Sequence, residues 1–313
     1  MNAVSILPQD ARFLGLEDAW AAAESAGVVI LSVPFERTST YGQGSALGPA
    51  AVLTASQQVE LFDAALGFEP HVHAGGIATL APLDVSERDA CCLVDRLRDE
   101  VSHWLDAGKL VVTLGGEHTS VVGAIRAHCE YYEELTVLQL DAHSDLREEY
   151  LDDPWNHACA MARVLEFHPR VVQVGIRSQA SEEREMARAR ELPVIYGHEI
   201  AQAEREGLPW LDKVIDALGD HVYITFDCDV MDPAAMPATG TPEPGGLTWN
   251  QVDALLARLC RERAVVGFDV SELVPIAGLT YPEFTVAKLV NRLIGYRFAS
   301  EPRKGVAPGG ESA

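Results

Sequence analysis

Residues 137–150 read VLQLDAHSDLREEY: an apolar strand that turns acidic in mid-course. Side chains two apart on an extended chain share a face. If the extended conformation continues past Leu140, Asp141, His143 and Asp145 therefore point to one side, with small Ala142 and Ser144 between them. Two carboxylates and an imidazole in one place are costly to bury unless a cation compensates them. The stretch thus predicts a sheet strand whose carboxyl end carries a charged site.

Two other segments follow the same pattern. In VYITFDCDVMDP (222–233) an apolar strand runs into Asp227 and Asp229, again two apart. Cys228 between them reads as a small packed residue, and Asp232 before Pro233 as a turn cap. In VVTLGGEHTS (111–120) a third apolar strand ends in Gly115-Gly116, then Glu117 and His118. Paired glycines let the backbone turn sharply beside a crowded site.

The chain around these motifs alternates strand and helix patterns. Strands are expected at 28–33, 110–114, 135–140, 171–176, 222–226 and 265–270, rich in Val, Ile and Leu. Such runs suit strands covered on both faces. Helical patterns fall at 86–107, 119–129, 181–191, 210–218, 248–261 and 282–296, with Ser86 and Thr248 as N-caps. The expectation is one α/β domain over residues 1–300, three-layered α-β-α, with a central, mainly parallel sheet. Ligands of such sheets bind beyond the carboxyl ends of the strands. Residues 301–313 are polar and rich in Gly and Pro, and read as a flexible tail.

Composition narrows the partners. With 313 residues the chain is long enough for a sizeable core. A formal net charge of −23 argues against nucleic acid or an anionic membrane and suits a cationic small molecule. The six cysteines form no CxxC pair, which fits a reducing compartment. With neither a signal-peptide pattern at the start nor a membrane-length apolar run, the cytoplasm is expected.

His118, Asp141, His143, Asp145, Asp227 and Asp229 together give six oxygen and nitrogen donors, four of them carboxylates. That is too much negative charge for one zinc ion. It suits two divalent metals, with Mn²⁺ preferred and others such as Ni²⁺ acceptable.

GGEHT (115–119), DAHSD (141–145), FDCDVMDPAAMPATGTPEPGGL (226–247) and GFDVSELVP (267–275) resemble the signatures of the ureohydrolases, the family of arginase and agmatinase. The resemblance covers roughly residues 25–300. It implies an arginase-like fold, a dinuclear centre, and hydrolysis of a guanidino compound to an amine and urea. By position it implies terminal ligands His118 and His143, bridging carboxylates Asp141 and Asp227, and Asp145 and Asp229 completing the two shells. His157, in PWNHACAM, matches the family's proton-moving histidine, and Glu272 its guanidinium-binding glutamate. Glu117 stands where Asp is more frequent, Ala238 for Gly and Ser271 for an apolar residue; none removes a ligand. Trimers or hexamers are implied as well.

The segment ELVPIAGLTYPEFTVAKL (272–289) is closer to bacterial and archaeal agmatinases than to arginases. The loop LREEYLDDPW (146–155) after the second motif is acidic. Glu149, Asp152 and Asp153 there, with Glu148, either meet the far cationic end of a substrate or are simply a solvated loop. Agmatine is the first expectation and N1-aminopropylagmatine the close second. Different chemistry on the same layout, a single-zinc deacetylase or a silent metal binder, is disfavoured by six intact ligands beside His157 and Glu272.

Overall fold

The computed structural model describes residues 5–86 and 89–299. The expected tail at 301–313 lies outside them. Eight strands form one sheet: β1 Val28–Val33, β2 Ile77–Thr79, β3 Leu110–Gly115, β4 Leu135–Leu140, β5 Val171–Val174, β6 Val194–Ile195, β7 His221–Asp227 and β8 Ala264–Ser271. Their order is β2-β1-β3-β8-β7-β4-β5-β6. Every pairing is parallel, so the sheet is wholly parallel among the described residues.

Helices cover both faces, and the strands' alternation sorts their side chains between two cores. Val28 and Ile30 of β1 and Leu138 and Leu140 of β4 enter one core. Val29, Leu31 and Val33, with Leu135 and Val137, enter the other. Burial on both sides is why these strands read as continuous apolar runs. No helix among the described residues is long and apolar enough to cross a membrane.

Thr248 caps the helix Trp249–Glu262 as expected, its hydroxyl accepting from Gln251 N. Ser86 does not cap the helix expected at 86–107. That helix runs Ala90–Asp106, and Asp89 caps it by accepting from Cys91 N at 2.9 Å. The segment after His118 starts as a 3₁₀ turn, His118–Val121, before the helix Val122–Tyr131. Composition hid the short edge strands β2 and β6, because three and two residues are too few for a period.

One buried group gives the fold a pH signature. His128 lies against Gly267 of β8, where an added Cβ would sit 2.1 Å from Nε2. Its Nδ1 bonds Ala124 O at 2.7 Å. Burial pushes the imidazole down to about 4 from its ordinary 6.5. The depressed value means the unfolded chain takes up the proton first. Stability from this group is complete above pH 6.5 and is lost as pH falls towards 4. Between pH 7 and 5 the loss is about 2 kcal/mol. Denaturant titrations should show His128→Asn losing less stability than the parent over that interval by this amount; equal losses would contradict the assignment.

Candidate metal centre

Four adjacent strands in the middle of the sheet, β3, β8, β7 and β4, deliver the acidic motifs to one place. His118 follows β3. Asp141, His143 and Asp145 follow β4. Asp227 ends β7, and Glu272 follows β8. All six expected donors come together there, with His157 and Glu272 beside them in the wall of one cavity of ≈ 240 Å³.

The convergence is not achieved by prolonging the strand. β4 stops at Leu140, and Asp145 has φ +53, so the DAHSD segment coils instead of alternating. Its turn is held by Asp141 Oδ1, which accepts from His143 N at 2.6 Å. Asp227 likewise accepts from Asp229 N at 2.8 Å and starts the 3₁₀ turn Cys228–Val230. Cys228 is buried in the core, as its small size suggested. Asp232 is a turn cap, accepting from Ala234 N and Gly245 N.

Two donor triads result: His118, Asp141 and Asp227, and Asp141, His143 and Asp229, each with ligand atoms within 4.8 Å of one another. Asp141 belongs to both, as a bridging carboxylate would. Asp145 Oδ2 lies 2.8 Å from His118 Nδ1 and joins the first group. His143 Nδ1 lies 2.9 Å from Asp229 Oδ2 in the second.

The electrostatics of the site follow from its burial. Asp141, Asp145, Asp227 and Asp229 are all buried, and the Arg177 guanidinium, which donates to the backbone oxygen of Asp229, acts on the carboxylates of Asp229 and Asp141 only through its charge. Burial, then repulsion from Asp145 and Asp229, pushes Asp141 up to about 7. Burial and the charges of Asp229 and Asp141 push Asp227 well up. Burial alone would lower His143, but Asp229 overrides it and holds the imidazole near 10. Burial would raise Asp229, yet His143 draws it down to about 2. Protons thus stand in for positive charge that this donor set is built to accept. Oxygen-rich triads with one imidazole each fit divalent metal ions.

Two residues that sequence reasoning passed over orient His118. Its Nε2 lies 2.9 Å from Thr225 Oγ1, and that hydroxyl donates to Asp269 Oδ1 at 2.9 Å. With its proton given to Asp269, Thr225 can only accept from Nε2–H. The Nδ1 lone pair is left facing the carboxylates, the arrangement of a metal-binding imidazole. The signal was present: Thr225 and Asp269 are polar residues inside apolar strands, paired in register across β7 and β8.

Glu272 has φ +61 and is buried, an unusual backbone for a non-glycine residue. Its Oε1 accepts from His118 N at 2.6 Å, and burial with repulsion from Glu117 pushes its carboxyl well up. His157 Nδ1 is 3.9 Å from Glu272 Oε1. Burial pushes this imidazole down, so it favours the neutral form.

The acidic loop is placed differently from the expectation. Glu149 and Asp152 are exposed and do not line the cavity. Asp153 is also outside the lining; it pairs with Arg37 at 2.6 Å and caps Trp155 N. Chain direction is the reason: Asp152 has φ +59, and the bridge between Tyr150 and Asp153 folds the loop on itself. Arg147 and Tyr150 of this loop face the cavity instead, with Ser178, Gln179 and Glu183 opposite.

A family model for the arginase family matches residues 26–295, nearly the whole described chain. The chain belongs to the arginase family. An N1-aminopropylagmatine ureohydrolase of Synechocystis sp. is 37% identical over 94% of this chain and 96% of its own length. A second protein of that name, from Thermus thermophilus, is 39% identical over 88% of this chain and 91% of its own. Among solved structures, the agmatine ureohydrolase of Thermoplasma volcanium superposes with a TM-score of 0.80 at 31% identity, covering 92% of this chain and 94% of that one. Arginase-family proteins are dinuclear-metal enzymes, which matches the two triads sharing Asp141.

Metal binding by this arginase-family chain must displace the protons described above, because ligands bind deprotonated. Calorimetry of Mn²⁺ binding at pH 7 in buffers of different ionisation enthalpy should show release of at least about one proton per chain, and affinity rising with pH. No proton release, with affinity flat from pH 6 to 8, would contradict the charge assignment.

Proposed function

We propose that the chain hydrolyses a linear guanidino polyamine precursor, N1-aminopropylagmatine first, to urea and the corresponding amine. The observation that carries the reading is the cavity itself. Its lining holds His143, Asp145, Asp227 and Asp229 of the donor groups, with the buried carboxylate of Glu272 and the imidazole of His157 beside them. The sequence pointed to agmatine first. The names borne by the two relatives above favour the longer cation, and agmatine fits the same chemistry with a shorter arm.

His118, Asp141 and Asp227, with Asp145 beside His118, would hold one ion and Asp141, His143 and Asp229 the other; Mn²⁺ suits this oxygen-rich set. Bound there, two divalent ions would supply a water ionised near neutral pH. Glu272 accepts N–H bonds from the planar guanidinium and turns its carbon towards the triads. A cation at that point also restores the charge that burial suppresses on Glu272. His157, neutral at rest, takes up a proton and passes it to the alkyl nitrogen as the bond from that nitrogen to the guanidino carbon breaks. The water's oxygen stays with that carbon, as urea. Outside the triads, Glu183 lines the outer wall and Arg147 stands 3.9 Å from it, so the mouth is acid-rich but not uniformly so.

The substrate assignment is tested by specificity constants for N1-aminopropylagmatine, agmatine, arginine and guanidinobutyrate on Mn²⁺-loaded protein. The two polyamine precursors should exceed the two carboxylates by at least about tenfold, since an opposite charge near 4 Å contributes on the order of 1–4 kcal/mol at a partly solvated site. Arginine or guanidinobutyrate as the best substrate would reject the cationic far end.

His157→Ala should retain both metals while turnover falls roughly 10²–10⁴-fold, the range for loss of a general acid. Metal loss in this variant would place His157 among the ligands instead.

A further inference from the structure

The first loop after β1 is tied to the loop carrying His157 by contacts that no step above uses. Glu117, buried after β3, accepts from Arg37 N at 2.8 Å and Thr38 N at 2.6 Å through Oε2. Its Oε1 accepts from the Thr38 hydroxyl at 3.0 Å. Thr38 Oγ1 in turn accepts from His157 N at 2.8 Å. Arg37 reaches over to Asp153 at 2.6 Å, four residues before His157. Thr40 Oγ1 closes the set, 3.3 Å from His157 Nε2. Residues 37–40 thus hold the backbone, the flanking turn and the ring of one histidine.

We propose that Arg37, Thr38 and Asp153, anchored on Glu117, are positioning residues for His157: they form a clasp that fixes where its ring stands relative to Glu272 and the guanidino carbon. This gives the acidic loop a part that the sequence did not suggest. Asp153 works on the histidine, through Arg37, and not on the substrate's far end. It also explains why the Thr38 hydroxyl is used twice, donating to Glu117 and accepting from His157. A methyl group of the same shape would keep the packing and break the chain of bonds. The two carboxyl oxygens of Glu117 carry enough lone pairs to accept from two backbone N–H groups and the hydroxyl at once. The geometry needs that precision: displacement of a catalytic group by about 1 Å can lower turnover on the order of 10²-fold.

The inference rests on the reading of His157 as the proton-moving group, and the experiment separates the two. Thr38→Val, Thr38→Ser, Arg37→Ala and His157→Ala are compared on the Mn²⁺-loaded full chain for kcat, KM and metal content. Imidazole ¹⁵N–¹H spectra of the same proteins loaded with diamagnetic Zn²⁺ follow the His157 ring in each clasp variant. The clasp predicts kcat lower by roughly 10–100-fold in Thr38→Val and Arg37→Ala, with KM within about twofold and metal content unchanged. It predicts near-parental kcat in Thr38→Ser, which keeps the hydroxyl, and a broadened or split ring signal only where the clasp is cut. Parental kcat in Thr38→Val, while His157→Ala is impaired, overturns the clasp. Metal loss in Thr38→Val overturns it too, because the loop would then be supporting the triads. Parental kcat in His157→Ala instead overturns the role given to His157.

Discussion

Four carboxylates and two imidazoles are forced together at the ends of four neighbouring strands, out of water and with the charge of Arg177, which acts on Asp229 and Asp141, too little to neutralise them. Burying an uncompensated carboxylate is too costly for a fold of ordinary stability. Something must carry positive charge there. With no other cation, burial and mutual repulsion push the carboxyls of Asp141 and Asp227 up, and Asp229 raises His143, so that each favours its protonated form. Two divalent ions relieve the same strain better, since they satisfy the oxygens directly. The rest of the structure serves this arrangement. The parallel sheet brings the strand ends to one edge, and the Thr225–Asp269 pair aims His118.

The glycines at the end of β3 show how closely the backbone is fitted to this demand. A Cβ on Gly116 would stand 2.1 Å from Phe35 O, so a side chain there would push the loop after β1 away. That loop is the one whose Arg37 and Thr38 are gathered by Glu117. The same crossing that packs Gly116 against Phe35 therefore brings His118 to the triads and the residues flanking His157 to the cavity. Glu272 is placed by its positive φ, a conformation disfavoured for a glutamate and tolerated here because neighbouring strands fix it.

Much of this was legible in the sequence, for specific reasons. Asp141, His143, Asp145, Asp227, Asp229 and His118 each follow an apolar run, and a parallel sheet has only one edge where such ends can meet. The six strands were readable because burial on both faces makes them mostly apolar, with only single polar residues such as Gln139 between. Thr225 and Asp269, polar residues in register on adjacent strands, were the overlooked signal. What could not be read was direction after the strand ends. The coil at Asp145, and the fold of the 150–153 loop that turns Asp153 to Arg37, depend on positive φ values that Asp and Leu adopt only in context. Glu149 and Asp152 were therefore expected at the substrate and lie at the surface. Contacts 116 residues apart in sequence, such as Arg37 with Asp153, have no local signature.

The central claim is that the triads sharing Asp141 each bind an ion. Crystals of Mn²⁺-reconstituted protein, measured at the manganese absorption edge, test it directly. The account predicts two anomalous peaks per chain, roughly 3.5–4 Å apart as two-metal hydrolysis requires, one beside His118 and one beside His143. A single peak, or peaks away from Asp141 while the protein is active, would contradict it.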